Sequence, residues 1–273
     1  MNLIYDLPFA AYRALDAVNI SSLKHMQRSP LHYRHALTAA AKTSPAMALG
    51  TAAHAAVLEP QRFVDEFVVF CGAVRRGKDW DAFSADAEAR KLTVVTEAER
   101  STALSISESV RACPDAMRYL QAGAPEVTML WDCMGIACKG RADWLTPAET
   151  VLVGLKTTRD CRPREFGRQA AQLGYHLQWA FYADGMQAIT GRAPKVVEIV
   201  VESAAPHAVA VYVIPDAVLD QGREEYLALL DQLAGCRETD NWPGPIDGEV
   251  EFSLPAWVYG DAGDIVISDA EAA

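Results

Sequence analysis

Two polar residues stand late in apolar runs: Asp143 in "GIACKGRADWL" and Lys156 in "VLVGLKTT". If these runs pair as an antiparallel hairpin, the end of one strand meets the start of the next. Bringing the two side chains together then needs a splay or a bend. A carboxylate and an ammonium at one sheet edge suit phosphodiester hydrolysis. The carboxylate can hold a divalent metal, which polarises phosphate and generates hydroxide from water. The lysine can orient or deprotonate the nucleophile and offset developing negative charge. Magnesium prefers oxygen ligands and keeps several waters, so two or three protein ligands suffice.

Gly154 is the anomaly in the second run. Glycine inside a strand is locally unfavourable, and alternation puts residues 154 and 156 on one face of the sheet. Basic residues gather around the same stretch. From Lys139 to Arg168 there are 7 basic and 4 acidic residues, a net charge of +3. Arg141, Thr157, Thr158, Arg159, Arg162, Arg164 and Arg168 are candidate contacts to a nucleic-acid backbone, which position a duplex without reading its sequence. Arg75, Arg76 and Lys78 in "VRRGKDW" form either a solvated loop or a phosphate-gripping one, with Trp80 as an anchor or stacking ring. Glu126, at the head of a strand-like run, is a candidate accessory ligand.

The elements that must position these groups are legible from pattern. Residues 1–40 read as polar and helical, with a helix start at Ser21-Ser22-Leu23-Lys24 and a second helix after Ser29-Pro30. "MALGTAAHAAVL" (47–58) is helix-prone and ends at Pro60. A short strand, "EFVVF", precedes the basic loop, and helices fill about 81–122. Then come three strand-like runs, "EVTMLWD", "GIACKGRADWL" and "VLVGLKTT". A long helix is expected over 164–189, with Phe166, Ala170, Leu173, Leu177 and Phe181 as its core stripe. "KVVEIVVES" and "HAVAVYVI" follow as a hairpin or near-hairpin, then an amphipathic helix from about Pro215 to Leu233. The order α-β-β-β-α-β implies an α/β sandwich around a mixed central sheet flanked by helices. One domain is expected over residues 1–240: a helical part (1–122), a sheet core (123–214) and a helix (215–236). An acidic tail (241–273) follows.

Composition bounds the partners. The chain has 273 residues, 51% hydrophobic and 22% charged, as in an ordinary globular protein. No apolar run reaches the ~18 residues of a membrane span. The first ten residues lack the layout of a signal peptide, so the expected location is cytoplasmic. Six cysteines fit no zinc or iron–sulfur spacing and are expected as reduced, mostly buried thiols. The net charge of −11 argues against nucleic acid until it is divided. Residues 214–273 hold 14 acidic and 2 basic residues, which leaves the rest of the chain at +1.

Several stretches in this order resemble the PD-(D/E)xK (restriction-endonuclease-like) nuclease superfamily, and within it the phage and prophage exonucleases of the RecE, or exodeoxyribonuclease VIII, type. They are "SSLKHMQRSPLHYRHAL", "LGTAAHAAVLEP", "VRRGKDWDAF", "EVTMLWDCMGIACKGRADWL", "LKTTRD" and "YHLQWAFYADG". The resemblance implies that His54 contacts metal from a helix, that Asp143 is the first metal carboxylate and that Lys156 is the catalytic lysine. It implies that Gln178 and Tyr182, four apart on one helix face, lie near the scissile phosphate or the DNA backbone. It further implies a Mg²⁺ (or Mn²⁺) dependent exodeoxyribonuclease that resects linear duplex DNA 5′→3′. The 3′ strand would be left for a RecT-like annealing protein, by a homo-oligomeric ring in a bacterial host. An acidic exterior around a basic bore would fit the charge division.

The same resemblance places Asp or Glu where this chain has Gly154, so the second metal carboxylate is missing and cleavage is expected to be impaired. Three readings stay open: an engineered change, a naturally defective copy, or a substitute carboxylate such as Glu126 or Glu149. Two rivals to the enzyme also stay open: a nuclease-dead protein that binds DNA ends, and a recombination scaffold docked through its acidic tail. Bland readings of the same residues are a packed core His54, a turn-capping Asp143, a solvated Lys156 and a polar Gln178–Tyr182 stripe.

Overall fold

The computed structural model describes residues 1–39, 44–72, 74–255 and 258. Among them the helices are α1 (Phe9–Ala14), α2 (Ile20–Leu23), α3 (Pro30–Thr38), α4 (Pro45–Leu58), α5 (Pro60–Glu66), α6 (Lys78–Ala89), α7 (Glu97–Ala112), α8 (Pro114–Leu120), α9 (Pro163–Leu173), α10 (Tyr175–Thr190) and α11 (Asp216–Thr239). The strands are β1 (Asn2–Ile4), β2 (Phe67–Phe70), β3 (Thr93–Thr96), β4 (Ala124–Cys133), β5 (Ile136–Leu145), β6 (Val151–Thr158), β7 (Lys195–Glu202) and β8 (Val209–Val213). The central sheet runs β1-β4-β5-β6-β7-β8, and β2 and β3 form a small parallel pair apart from it. The central sheet is antiparallel except for β6 beside β7. That parallel pair requires a crossover, which α9 and α10 provide.

The sheet is covered on both faces. Val153, Leu155, Val197 and Ile199 pack with Ala53 of α4 and with Ile106 and Val110 of α7. On the other face Leu152 joins Leu177, Ala180 and Phe181 of α10, and Val196 and Val200 join Phe166 and Ala170 of α9. Gly154, Lys156 and Glu198 alternate onto this second face.

Several expectations need correction. The long helix is two helices: Gly174, with φ +62°, closes α9 and opens α10, the left-handed turn that glycine takes without steric cost. The expected stripe is therefore split between two clusters, and Leu173 is 49% exposed. α4 does end at Leu58, just before Pro60 as expected, but Pro60 also opens α5, where its missing N–H costs nothing. Asn19, not Ser21, caps α2, its side chain accepting from Ser22 N–H. β1 and β3 lie in segments expected to be helical. β1 is three residues long and is fixed by pairing with β4, which local pattern cannot show. The segment after 240 is not wholly peripheral, since Trp242 stacks on Tyr33 and Pro243 O accepts from Leu31 N–H. Residues 256, 257 and 259–273 of the expected tail lie outside the described residues. All six cysteines are free, but contrary to expectation only Cys138 and Cys236 are buried; no helix among the described residues is long and apolar enough to cross a membrane.

Candidate active site

The site forms where β5 and β6 part. The two strands pair at Trp144↔Val153 and Leu145↔Leu152, then diverge. Leu155 N–H, left without a strand partner there, donates to Asp143 Oδ2 at 2.9 Å. The splay that the sequence requires is thus present, and it opens the sheet to both faces. From one side α4 brings His54 Nδ1 to 4.0 Å from Asp143 Oδ2. From the other, Lys156 Nζ lies 3.3 Å from the same oxygen.

Glu126 completes the group. It stands opposite Asp143 in the β4–β5 register, but with φ +53° it leaves the ladder between the pairs Pro125↔Trp144 and Val127↔Ala142. A left-handed conformation costs a residue with a Cβ roughly 1–2 kcal/mol. Arg141 Nε donates to Glu126 Oε2 at 2.5 Å and holds the carboxylate. Donor atoms of His54, Glu126 and Asp143 all lie within 4.8 Å of one another, and among the described residues they form the one group with metal-ligand geometry. These three side chains would hold a divalent cation by oxygen and nitrogen donors, with water completing its shell. Two carboxylates and an imidazole fit Mg²⁺ or Mn²⁺, the imidazole favouring the softer Mn²⁺.

Charge balance sets the protonation states. Burial pushes the Asp143 carboxyl up, but Lys156, His54 and the Leu155 N–H outweigh it and hold it below the usual range. Burial also pushes Glu126 up, helped by Asp143 and only partly offset by Arg141. Burial alone would depress the Lys156 ammonium, yet Asp143 and Glu198 outweigh it and raise its pKa above that of an ordinary lysine. Lys156 is therefore a fixed positive charge and hydrogen-bond donor in this state, not a proton acceptor.

The helix pair behind Lys156 is also in place. Gln178 and Tyr182 line a cavity of about 30 Å³ together with Asp143, Gly154, Lys156 and Glu198. Burial, then Asp143, raises the Tyr182 phenol, so it donates rather than ionises. Gly140 of β5 admits the Tyr182 ring: a Cβ there would come within 2.8 Å of it.

Position 154 is where the sequence reading missed most. Gly154 is directly paired with Glu198 on β7. A Cβ on Gly154 would lie 2.5 Å from both carboxylate oxygens of Glu198. Glu198 Oε2 accepts from Trp179 Nε1 at 2.5 Å, and Oε1 lies 3.7 Å from Lys156 Nζ. Burial pushes this carboxyl up to about 7, against the pull of Lys156. The one available signal was a glutamate inside the apolar run "KVVEIVVES". The Glu149 side chain, an earlier candidate substitute, lies outside the described residues. Glu126 is part of the cluster, but does not fill the space beside Gly154. Lys24 was also missed: its Nζ donates to Leu173 O and, like Lys156, stands over the Tyr175 ring.

The candidate DNA contacts divide. Arg141 is consumed by Glu126 and Leu7 O and packs on Phe9 and Tyr12. Thr158 is buried and bonded to Gln169 and Asp160 O. Lys139, also buried, donates to the carbonyls of Tyr12, Arg13 and Leu15. These are structural, contrary to expectation. Arg75 pairs with Glu99 and lies over Trp80, whose ring packs on Phe70. Arg162 pairs with Asp160 and Arg168 with Glu165, both at the surface. Arg76, Lys78, Arg159 and Arg164 are exposed, and Thr157 is half-buried beside Gly50.

Residues 19–252 match the family described as a PDDEXK-like domain of unknown function (DUF3799). The chain belongs to this family. Among solved structures, the crystal structure of a provisionally named exonuclease from Eubacterium rectale is similar in fold. Its TM-score is 0.63 at 14% identity, over 93% of this chain and 96% of that one. The crystal structure of SSO0001 aligns at a TM-score of 0.28 and 13% identity, over 77% of this chain and 85% of that one, too weak a likeness to argue from. No curated protein matches. This PDDEXK-like domain carries its histidine, carboxylates and lysine around the split between β5 and β6.

Proposed function

We propose that this chain is a metal-dependent nuclease of the exodeoxyribonuclease type, acting on the ends of linear duplex DNA. The observation that carries the reading is the convergence of His54, Glu126, Asp143 and Lys156 on one cleft. A divalent cation there supplies Lewis acidity toward phosphate and a hydroxide-like water near neutral pH. Asp143 is held ionised for it by Lys156 and the Leu155 N–H. The Lys156 ammonium offsets charge that develops on the phosphate oxygens. Gln178 and Tyr182 sit beside it as neutral hydrogen-bonding groups that orient the phosphate. Arg76, Lys78, Arg159 and Arg164 are the exposed cations offered to the backbone. Resection 5′→3′, assembly into a ring and transfer of the 3′ strand to an annealing protein are what the resemblance adds.

Impairment by Gly154 is not part of this reading. That expectation rested on an empty place beside Lys156, and the Glu198 carboxylate fills it.

The test uses linear duplex DNA labelled at the 5′ or the 3′ end, with a covalently closed circle as control. Mg²⁺ or Mn²⁺ should release the 5′ label first and leave the circle intact, and EDTA should stop the reaction. Failure to digest linear DNA with either metal overturns the proposal.

A further inference from the structure

Glu198 is a carboxylate midway along β7, 1% exposed, between apolar neighbours on an apolar strand. A buried charge of this kind is strongly unfavourable unless it is paired and fully bonded. Here it is only half satisfied. Oε2 accepts from Trp179, whereas Oε1 has no hydrogen-bond partner among the described residues. That free oxygen is the one turned toward Lys156, at 3.7 Å, and Lys156 links it to Asp143 at 3.3 Å. Packing alone would be served better by valine or isoleucine, as at Val196 and Val200 on the same face.

The glycine opposite is the complement of this side chain. Any Cβ at position 154 would collide with both Glu198 oxygens and with Cδ, at 2.5, 2.5 and 2.7 Å. Bare backbone at 154 is thus the condition for a carboxylate to cross from β7 into the space beside Lys156. The cavity of about 30 Å³ next to it leaves room for one water or for a small rotation of the carboxylate.

We propose that Glu198 supplies, from β7, a further carboxylate to the metal site beside Asp143 and Glu126, using Oε1 directly or through one water, and that Gly154 is the bare position that admits it. The strand pair β6–β7 has exchanged carboxylate and small residue across its ladder while keeping the carboxylate in the same space. This rests on the nuclease reading, because it assigns Glu198 to the cation held by Asp143.

The test is a reciprocal exchange read by Mn²⁺ titration of DNA-free protein, with cleavage of linear duplex DNA as a second readout. E198Q keeps the shape and the acceptor for Trp179. It should bind Mn²⁺ about 10-fold more weakly or worse and cleave more slowly. G154D alone should be defective, since its side chain meets Glu198. G154D combined with E198A should recover Mn²⁺ affinity and cleavage relative to E198A alone. E198Q binding Mn²⁺ as tightly as the unmodified chain overturns the inference, as does a double variant no better than E198A. Both outcomes leave the nuclease reading standing if the unmodified chain digests DNA. An unmodified chain that binds Mn²⁺ but never cuts DNA overturns that reading instead.

Discussion

Glu126 and Asp143 face each other across β4 and β5, and the ladder is broken at that pair alone within the run from Ala124 to Cys133. The break shifts the alternation on both strands at once. Ala142 and Leu145, three apart, both face the α10 core, and so do Val127 and Ala124. Register is preserved while both carboxylates are turned out of the ladder at the cleft. E126Q should therefore keep the fold and lower Mn²⁺ affinity by about 10-fold or more. Circular dichroism and calorimetry check the two parts separately.

Lys156 is enclosed by Asp143 and Glu198, so its removal leaves two buried carboxylates without their cation. K156M should destabilise the metal-free protein by roughly 3–5 kcal/mol. Mn²⁺ should restore part of that loss, because binding to the native state adds stability. Cleavage should stay at least about 10²-fold down even when the site is saturated, since the donor to the phosphate is gone. Denaturant melts with and without Mn²⁺, set beside a cleavage assay, decide it.

Arg76 and Lys78 are exposed, whereas Arg75 is tied to Glu99. The double variant R76A/K78A should weaken duplex binding about equally for all sequences. It should also reduce the slope of log K against log salt by about 2. K139M should leave that slope unchanged and lower stability, because Lys139 holds three carbonyls inside the protein. Binding measured at several salt concentrations separates the two kinds of lysine.

Lys24 has its ammonium pulled down to about 8 by burial and then by Lys156. Its folded pKa lies below the unfolded value, so between about pH 8 and about 10.5 the unfolded chain binds more protons. Its contribution to stability therefore increases as pH rises through that window and is lost as pH falls through about 8. K24M should abolish this increment. The difference between the two melting curves against pH is the measurement.

By itself the sequence determined the strands β4 to β8, the fold class, and the residue types at His54, Asp143, Lys156, Gln178 and Tyr182. Those rest on local periodicity and on motif spacing, which a linear chain carries whole. It also exposed the fault at Gly154, because a glycine two residues before a strand-end lysine breaks a pattern that can be read in place. What filled the fault was decided by tertiary structure. Glu198 meets Gly154 only because the α9–α10 crossover docks β7 parallel to β6 in one register, and register between strands is set by packing far along the chain. The fates of Arg141, Lys139 and Thr158 were decided the same way. A charge count registers a basic residue, but whether it meets phosphate or an internal carboxylate depends on which partners the fold brings within about 3 Å.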